Sequence, residues 1–264
     1  MLNKISFIML NKRLLHLIIL FILSLAIGCK SYYYLKFSDK NVIAIDTNNV
    51  KTEDSSALKI IAPYKAQIDA QLNEVLAYSD EPMEKDLPEG KLNNFITDLI
   101  LQVARKYYKA DDGHNVDMCL LNSGGIRASL PKGAITKSKI FELMPFENQL
   151  VVVTLNGKQT YNMLEWIAEN GGAPEAGLKL GIKNNKPFEI IINNKPFNEN
   201  DNYKIVTSDY LAAGGDKYNF FKDPIKYEEL GILTRDAIIE YLKEETKAGR
   251  TINAVLDKRI YYVK

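Results

Sequence analysis

Histidine and cysteine are scarce in this 264-residue chain, two of each, and tryptophan occurs once. So few cysteines exclude a disulfide scaffold, and so few imidazoles and thiolates leave little from which to build a metal centre. An excess of one charge sign is missing too, since 34 Lys and Arg stand against 33 Asp and Glu. Without a basic excess there is no electrostatic footprint for a phosphate backbone, so nucleic acid is not an expected partner. Nine prolines and 15 glycines are too few for a collagen-like or low-complexity chain. The composition that remains, 46% hydrophobic and 25% charged, is that of a chain able to bury a core.

One apolar run near the start differs from everything that follows. Lys4, Lys12 and Arg13 precede an apolar run over residues 14–27, and Gly28-Cys29 closes it. A positive flank, a short apolar region and a small residue make a secretory signal, and the run is short for a membrane span. The small residue before Cys looks like a bacterial lipoprotein signal over residues 1–28, with Cys29 lipidated. That reading places the protein in the cell envelope, anchored to a membrane by its lipid and facing the periplasm or the surface. An uncleaved anchor helix is the competing reading. Met9-Leu10-Asn11-Lys12 repeats Met1-Leu2-Asn3-Lys4, so a start at either methionine fits. Removal of three bases and no acid leaves 31 basic residues against 33 acidic ones, a net charge of −2. His16 leaves as well, so His114 becomes the sole histidine.

Residues 29–60, rich in Asn, Asp and Ser, read as a tether and N-terminal extension with one or two strands around 32–37 and 42–45. One domain, 61–264, follows. Ile68, Leu72, Val75 and Leu76 recur at helical spacing, as do Ile96, Leu99, Ile100, Val103, Ala104 and Tyr107. Residues 116–121, 150–155, 188–192 and 203–207 are β-branched or apolar runs and predict strands. Tyr161, Leu164, Ile167 and Ala168 mark a helix ending at Gly171-Gly172. A last helix starts near Thr234, whose hydroxyl is placed to cap it, with Asp236 in its first turn. Cys119 lies within an apolar run and reads as a buried strand residue. His114, in Asp111-Asp112-Gly113-His114-Asn115, reads as an exposed turn residue.

Two loops follow apolar strands and carry paired glycines. They are Asn122-Ser123-Gly124-Gly125-Ile126-Arg127 and Asp209-Tyr210-Leu211-Ala212-Ala213-Gly214-Gly215-Asp216. Glycine permits positive φ and close approach of a ligand to backbone amides. Arg127 offers a planar fork for phosphate or carboxylate, and Asp216 an acceptor for vicinal hydroxyls. Either loop alone reads as a surface turn; two at equivalent strand ends point to a site, because open α/β sheets collect ligands there.

These loops, with Met144-Pro145-Phe146 and the run Leu150-Val151-Val152-Val153-Thr154-Leu155-Asn156-Gly157 between them, closely resemble the C-terminal, substrate-binding domain of the 5'-nucleotidase family. The resemblance covers residues from about Ile61 onward. It implies an α+β fold in four layers, α/β/β/α. It also implies a nucleoside base stacked between Phe146 and Tyr210, with Asn122 near the base. Arg127 would lie at the ribose and phosphate, Asp216 at the ribose hydroxyls, and Gly124, Gly125, Gly214 and Gly215 would shape the two loops. From the residues alone, Phe146 reads equally as a core residue behind Pro145 and Tyr210 as a loop aromatic over the sheet edge. Tyr210 stands where Phe is commoner and adds a hydroxyl. Asn93 stands where Gly is usual, and no arginine precedes Pro88-Glu89-Gly90, so an anionic contact is missing or supplied by Lys85.

The resemblance further implies that catalysis needs a metallophosphatase holding two divalent metals, which activate water against phosphorus. One histidine cannot build that site, and no catalytic residue or metal ligand is assigned to this chain. No Walker loop or nucleophile elbow is present. Three roles stay open: the nucleotide- or nucleoside-binding half of a split 5'-nucleotidase-type hydrolase in nucleotide catabolism, a non-catalytic nucleotide-binding envelope lipoprotein, or a structural protein that kept the fold. Retention of both loops, Arg127, Asp216 and two aromatics speaks against the last.

Overall fold

Strand β4 (Gln149–Asn156) sets the layering, because its side chains alternate between two cores. Leu150 and Val152 enter one hydrophobic cluster, and Val151, Val153 and Leu155 enter the other. A strand apolar on both faces must be covered on both, and the rest of the chain supplies the covers. The computed structural model describes residues 54–263, of which 56–263 belong to the compact unit Ser56–Lys264. The segment read as a signal, Cys29 and the strands expected within 32–45 lie outside the described residues. Among those described, no helix is long and apolar enough to cross a membrane.

The central sheet has five strands in the order β10 (Lys226–Leu233), β4, β9 (Asn202–Ser208), β2 (Met118–Leu120), β5 (Glu175–Ala176). β2 and β9 are parallel neighbours, with Met118 opposite Ile205 and Cys119 opposite Val206. β4 runs antiparallel to β9, with Val152 opposite Val206. One face is covered by α2 (Lys91–Tyr107), through Phe95, Ile96, Leu99, Ile100, Val103 and Ala104, and by α6 (Thr234–Lys247), through Ala237, Ile238 and Leu242. Each of the larger side chains among these, removed from water, contributes about 1.5–3 kcal/mol before entropy is counted. The opposite face packs against α4 (Gly157–Glu169), through Met163, Leu164 and Ile167, and against a second sheet. That sheet orders β11 (Ile260–Tyr262), β6 (Leu178–Lys183), β7 (Lys186–Ile192) and β8 (Lys195–Pro196). A pair, β1 (Val75–Ser79) with β3 (Gly133–Thr136), completes the unit, followed in sequence by the short α3 (Lys137–Leu143). The fold is α+β.

The expected strands at 116–121, 150–155, 188–192 and 203–207 fall on β2, β4, β7 and β9, with β2 shorter than its apolar run. Cys119 is fully buried and burial pushes its thiol up. α4 ends before Gly171 and Gly172, whose φ values of 73° and 120° suit glycine.

Two expectations are corrected. The helix expected over Ile68, Leu72, Val75 and Leu76 stops at Leu72, while Val75 and Leu76 begin β1. Adjacent apolar residues at 75 and 76 suit either period, and Tyr78 with the buried Leu76 and Ala77 favours the strand. This helix, α1 (Ser55–Leu72), starts inside the stretch read as tether, contains Pro63, and has no buried residue. Thr234 does not cap α6; Leu233 is the N-cap, with no side-chain bond. The Thr234 hydroxyl donates instead to the Asn148 carbonyl at 3.1 Å, which ties α6 to the segment before β4.

Candidate functional site

Both glycine loops leave the same end of the sheet because β2 and β9 are parallel neighbours. The first leaves β2 at Leu121. Gly125 N donates to Asn122 O at 3.1 Å, closing a turn. A Cβ on Gly125 would stand 2.7 Å from Asn122 Oδ1, so a side chain there would displace the Asn122 amide. Ile126 is fully buried and pins the loop. Arg127 N donates to Leu143 O at 2.8 Å, and its Nη1 donates to Gly124 O at 3.2 Å. The guanidinium is otherwise exposed, with donors left for a ligand.

The second loop opens with α5 (Asp209–Ala212), whose N-cap Ser208 accepts from Leu211 N at 3.2 Å. Gly214 has φ 89°, and the chain then passes through Asp216 at φ 50° and Lys217 at φ 67°. Left-handed geometry at two consecutive non-glycine residues is uncommon, and here it turns Asp216 back toward Tyr210. A Cβ on Gly215 would meet the Tyr210 ring at 2.5 Å, so the bare glycine lets the ring lie against the backbone.

Hydrogen bonds join the loops. Asn122 Nδ2 donates to Asp216 Oδ2 at 2.5 Å, and the Tyr210 hydroxyl donates to Asp216 Oδ1 at 2.8 Å. That bond to a carboxylate raises the Tyr210 phenol above its ordinary pKa. Deeper, the Tyr218 hydroxyl donates to Leu121 O at 3.2 Å. Tyr218 is buried beside Trp166, with ring centroids 4.4 Å apart, so the second loop rests on an aromatic cluster.

Phe146 reaches the same place from a third segment. It follows Met144-Pro145 after α3 and is 43% exposed; Tyr210 is 46% exposed. Neither is a core residue. The backbone around Phe146 is held by Arg235, whose guanidinium is nearly buried and donates through Nη1 to Pro145 O at 3.1 Å, with Met144 O at 3.4 Å and Phe146 O at 3.5 Å. Its cation also lies 4.2 Å from the Phe141 ring centroid.

The three segments enclose a cleft of about 430 Å³ lined by Asn122, Gly124, Gly125, Arg127, Phe146, Asn148, Tyr210 and Asp216. Gly214 and Gly215 do not line it; they shape the loop beneath. Two clefts of about 480 Å³ lie elsewhere: one is lined by Arg259 paired with Asp98 and Asp257, the other by lysines and acids of α3 and α6 with Phe141 as its one aromatic. The smaller cleft, by contrast, joins exposed aromatic faces to a cationic fork with donors to spare and a hydroxyl acceptor.

Sequence reading missed Asn148 and Arg235, the bond Thr234 makes, and the placement of Lys85. Asn148 lies two residues beyond Phe146, and its carbonyl accepts from Thr234 N at 2.8 Å. Lys85 Nζ donates to Ser123 O at 3.1 Å and Ile126 O at 2.9 Å, so it braces the first loop from behind. It is not part of the cleft lining. His114 stands apart, its Nε2 2.8 Å from Asp117 Oδ1.

An α+β domain with a cleft at the ends of neighbouring parallel strands is the class these features define. Residues 71–223 match the 5'-nucleotidase, C-terminal domain family; the match covers more than half of the chain, and the chain belongs to that family. It is 30% identical over 253 residues to the trifunctional nucleotide phosphoesterase protein YfkN of Bacillus subtilis (strain 168), covering 85% of this chain and 17% of that protein. It is 26% identical over 202 residues to a 5'-nucleotidase of Vibrio cholerae, covering 75% and 35%. The 5'-nucleotidase precursor from Thermus thermophilus superposes with a TM-score of 0.65 at 27% identity, over 80% of this chain and 44% of that one. The chain therefore spans about a third or less of the length of the two curated relatives.

Proposed function

We propose that this chain is the nucleotide- or nucleoside-binding half of a 5'-nucleotidase-type phosphohydrolase in nucleotide catabolism, acting with a separate metallophosphatase. The observation that carries the reading is the convergence of Phe146, Tyr210, Arg127 and Asp216 on one cleft. In it, the base stacks between Phe146 and Tyr210, each face contributing about 1–3 kcal/mol. Asn122 and Asn148 meet the base edge, Asp216 accepts from the ribose, and Arg127 takes the phosphate. The aromatic faces tolerate any base; the charged pair orients the ligand end to end.

Hydrolysis in this reading occurs at two divalent metals held by the metallophosphatase. The described residues do not fit such a pair, because no three His, Cys, Asp or Glu side chains among them come together to hold an ion. What this chain contributes is positioning, which converts an encounter into a held geometry. The same donor set favours a second reading, a binding module without catalytic partner. We further propose that Cys29 carries a lipid and anchors the chain at a membrane of the cell envelope.

The test is phosphate release from nucleoside monophosphates with Mn²⁺ or Zn²⁺, using this chain, a candidate metallophosphatase, and both together. The split-enzyme reading predicts turnover only from the pair. Metal-dependent turnover by this chain alone, surviving repurification, refutes it; a metallophosphatase equally active without it supports the binding module.

A further inference from the structure

We propose that the Tyr210 hydroxyl, acting through Asp216, sets how strongly the cleft prefers ribose over 2'-deoxyribose. The inference rests on the nucleoside reading above and concerns a group that stacking does not need. Phenylalanine would offer the same face to a base; the hydroxyl touches only the acceptor. Asp216 is the anion of the cleft, and its two oxygens are engaged by donors from two different loops. Oδ1 takes the Tyr210 hydroxyl at 2.8 Å and Oδ2 takes Asn122 Nδ2 at 2.5 Å. The carboxylate is thereby held against rotation, although its residue is exposed.

Each carboxylate oxygen accepts two hydrogen bonds, so one acceptor direction remains on each. Access to Oδ2 is kept open by Gly124, where a Cβ would stand 3.4 Å from that oxygen. Two fixed acceptor directions suit a vicinal diol, which donates one O–H to each; a 2'-deoxyribose supplies only one. Orientation fixed in advance favours the two-point ligand, because no rotational freedom of the carboxylate is lost on binding. Without the tyrosine hydroxyl, Oδ1 loses its donor, the carboxylate turns, and it meets one hydroxyl as well as two. Tyr210 is in this sense a positioning residue for sugar selection in addition to a stacking face.

The experiment is calorimetric titration of the full chain with adenosine and 2'-deoxyadenosine, for the unaltered protein, Tyr210→Phe, Asp216→Asn and the double variant. The unaltered protein is expected to prefer adenosine. Tyr210→Phe should cut that preference about five- to tenfold, as expected for a hydrogen bond to a charged group at a solvated site. In the Asp216→Asn background, Tyr210→Phe should change the ratio no further. An unchanged ratio in Tyr210→Phe, or an equal effect with Asp216 already altered, overturns the proposal. Failure of the unaltered protein to bind either nucleoside overturns the nucleoside reading itself and this inference with it. Thermal melting of Tyr210→Phe alongside the unaltered protein establishes that the ratio reports selection and not folding.

Discussion

Replacing Glu175 with glutamine should flatten part of the pH dependence of stability. Glu175 lies on β5, is 1% exposed, and accepts through Oε2 from Leu178 N at 3.2 Å, while Oε1 has no protein partner. Burial pushes its carboxyl well above the ordinary range; Arg259 opposes that, and Asp98 and Asp257 add to it. The folded state therefore keeps the proton where the unfolded chain, near pKa 4.3, has released it. Stability then falls as pH rises from about 4.3 toward the folded-state pKa and levels off above it. The slope approaches about 1.4 kcal/mol per pH unit while the two states differ by a whole proton. Glu175→Gln has nearly the same shape and no titration, so the difference between the two stability curves should widen as pH rises above the unfolded-state value, by no more than about 1.4 kcal/mol per pH unit. Urea denaturation at half-unit pH steps gives both curves with every other titrating group in common. Parallel curves would show that Glu175 ionises in the fold as readily as in the unfolded chain, which refutes the burial argument.

Three other expectations follow from the site and its supports. Gly215→Ala puts a Cβ 2.5 Å from the Tyr210 ring, so nucleoside affinity should drop by up to one lost stacking face, about 1–3 kcal/mol, with a melting temperature close to the original. Arg235→Met removes the donor held under Met144, Pro145 and Phe146, and should lower stability by about 1–3 kcal/mol while loosening Phe146; unchanged denaturation and binding together would count against the brace. Cys29→Ser should abolish incorporation of a fatty-acid analogue in cells, whereas equal labelling would sink the lipid anchor.

Much of the site was legible because its signals are local. Paired glycines after apolar strands mark both loops, and Arg127, Tyr210 and Asp216 stand beside them in sequence. Residues that act through long-range contact left no such mark. Arg235 lies about ninety positions from the carbonyls it holds, and Thr234 is 86 positions from Asn148. Lys85 reaches a loop 38 to 41 positions away. Charge alone made Lys85 a candidate anion contact; packing gives its donors to backbone carbonyls. Thr234 looked like a cap because it begins an apolar helix, yet its hydroxyl had a better acceptor across the fold. β1 was read as helix because Val75 and Leu76 suit both periods, and only pairing with β3 decides between them. β10 was missed for a related reason: Glu228 and Glu229 interrupt its apolar pattern, since one face of that edge strand is solvated.

The central claim is that the cleft between the two glycine loops binds a nucleoside or nucleotide by aromatic stacking and ionic anchoring. It is tested most directly by titrating adenosine and adenosine monophosphate into the purified protein and into Phe146→Ala, Tyr210→Ala and Arg127→Ala. Each aromatic truncation should cost about 1–3 kcal/mol for both ligands. Arg127→Ala should weaken the monophosphate more than adenosine if, as proposed, the guanidinium takes the phosphate. Undiminished affinity in all three variants would place binding elsewhere and contradict the account.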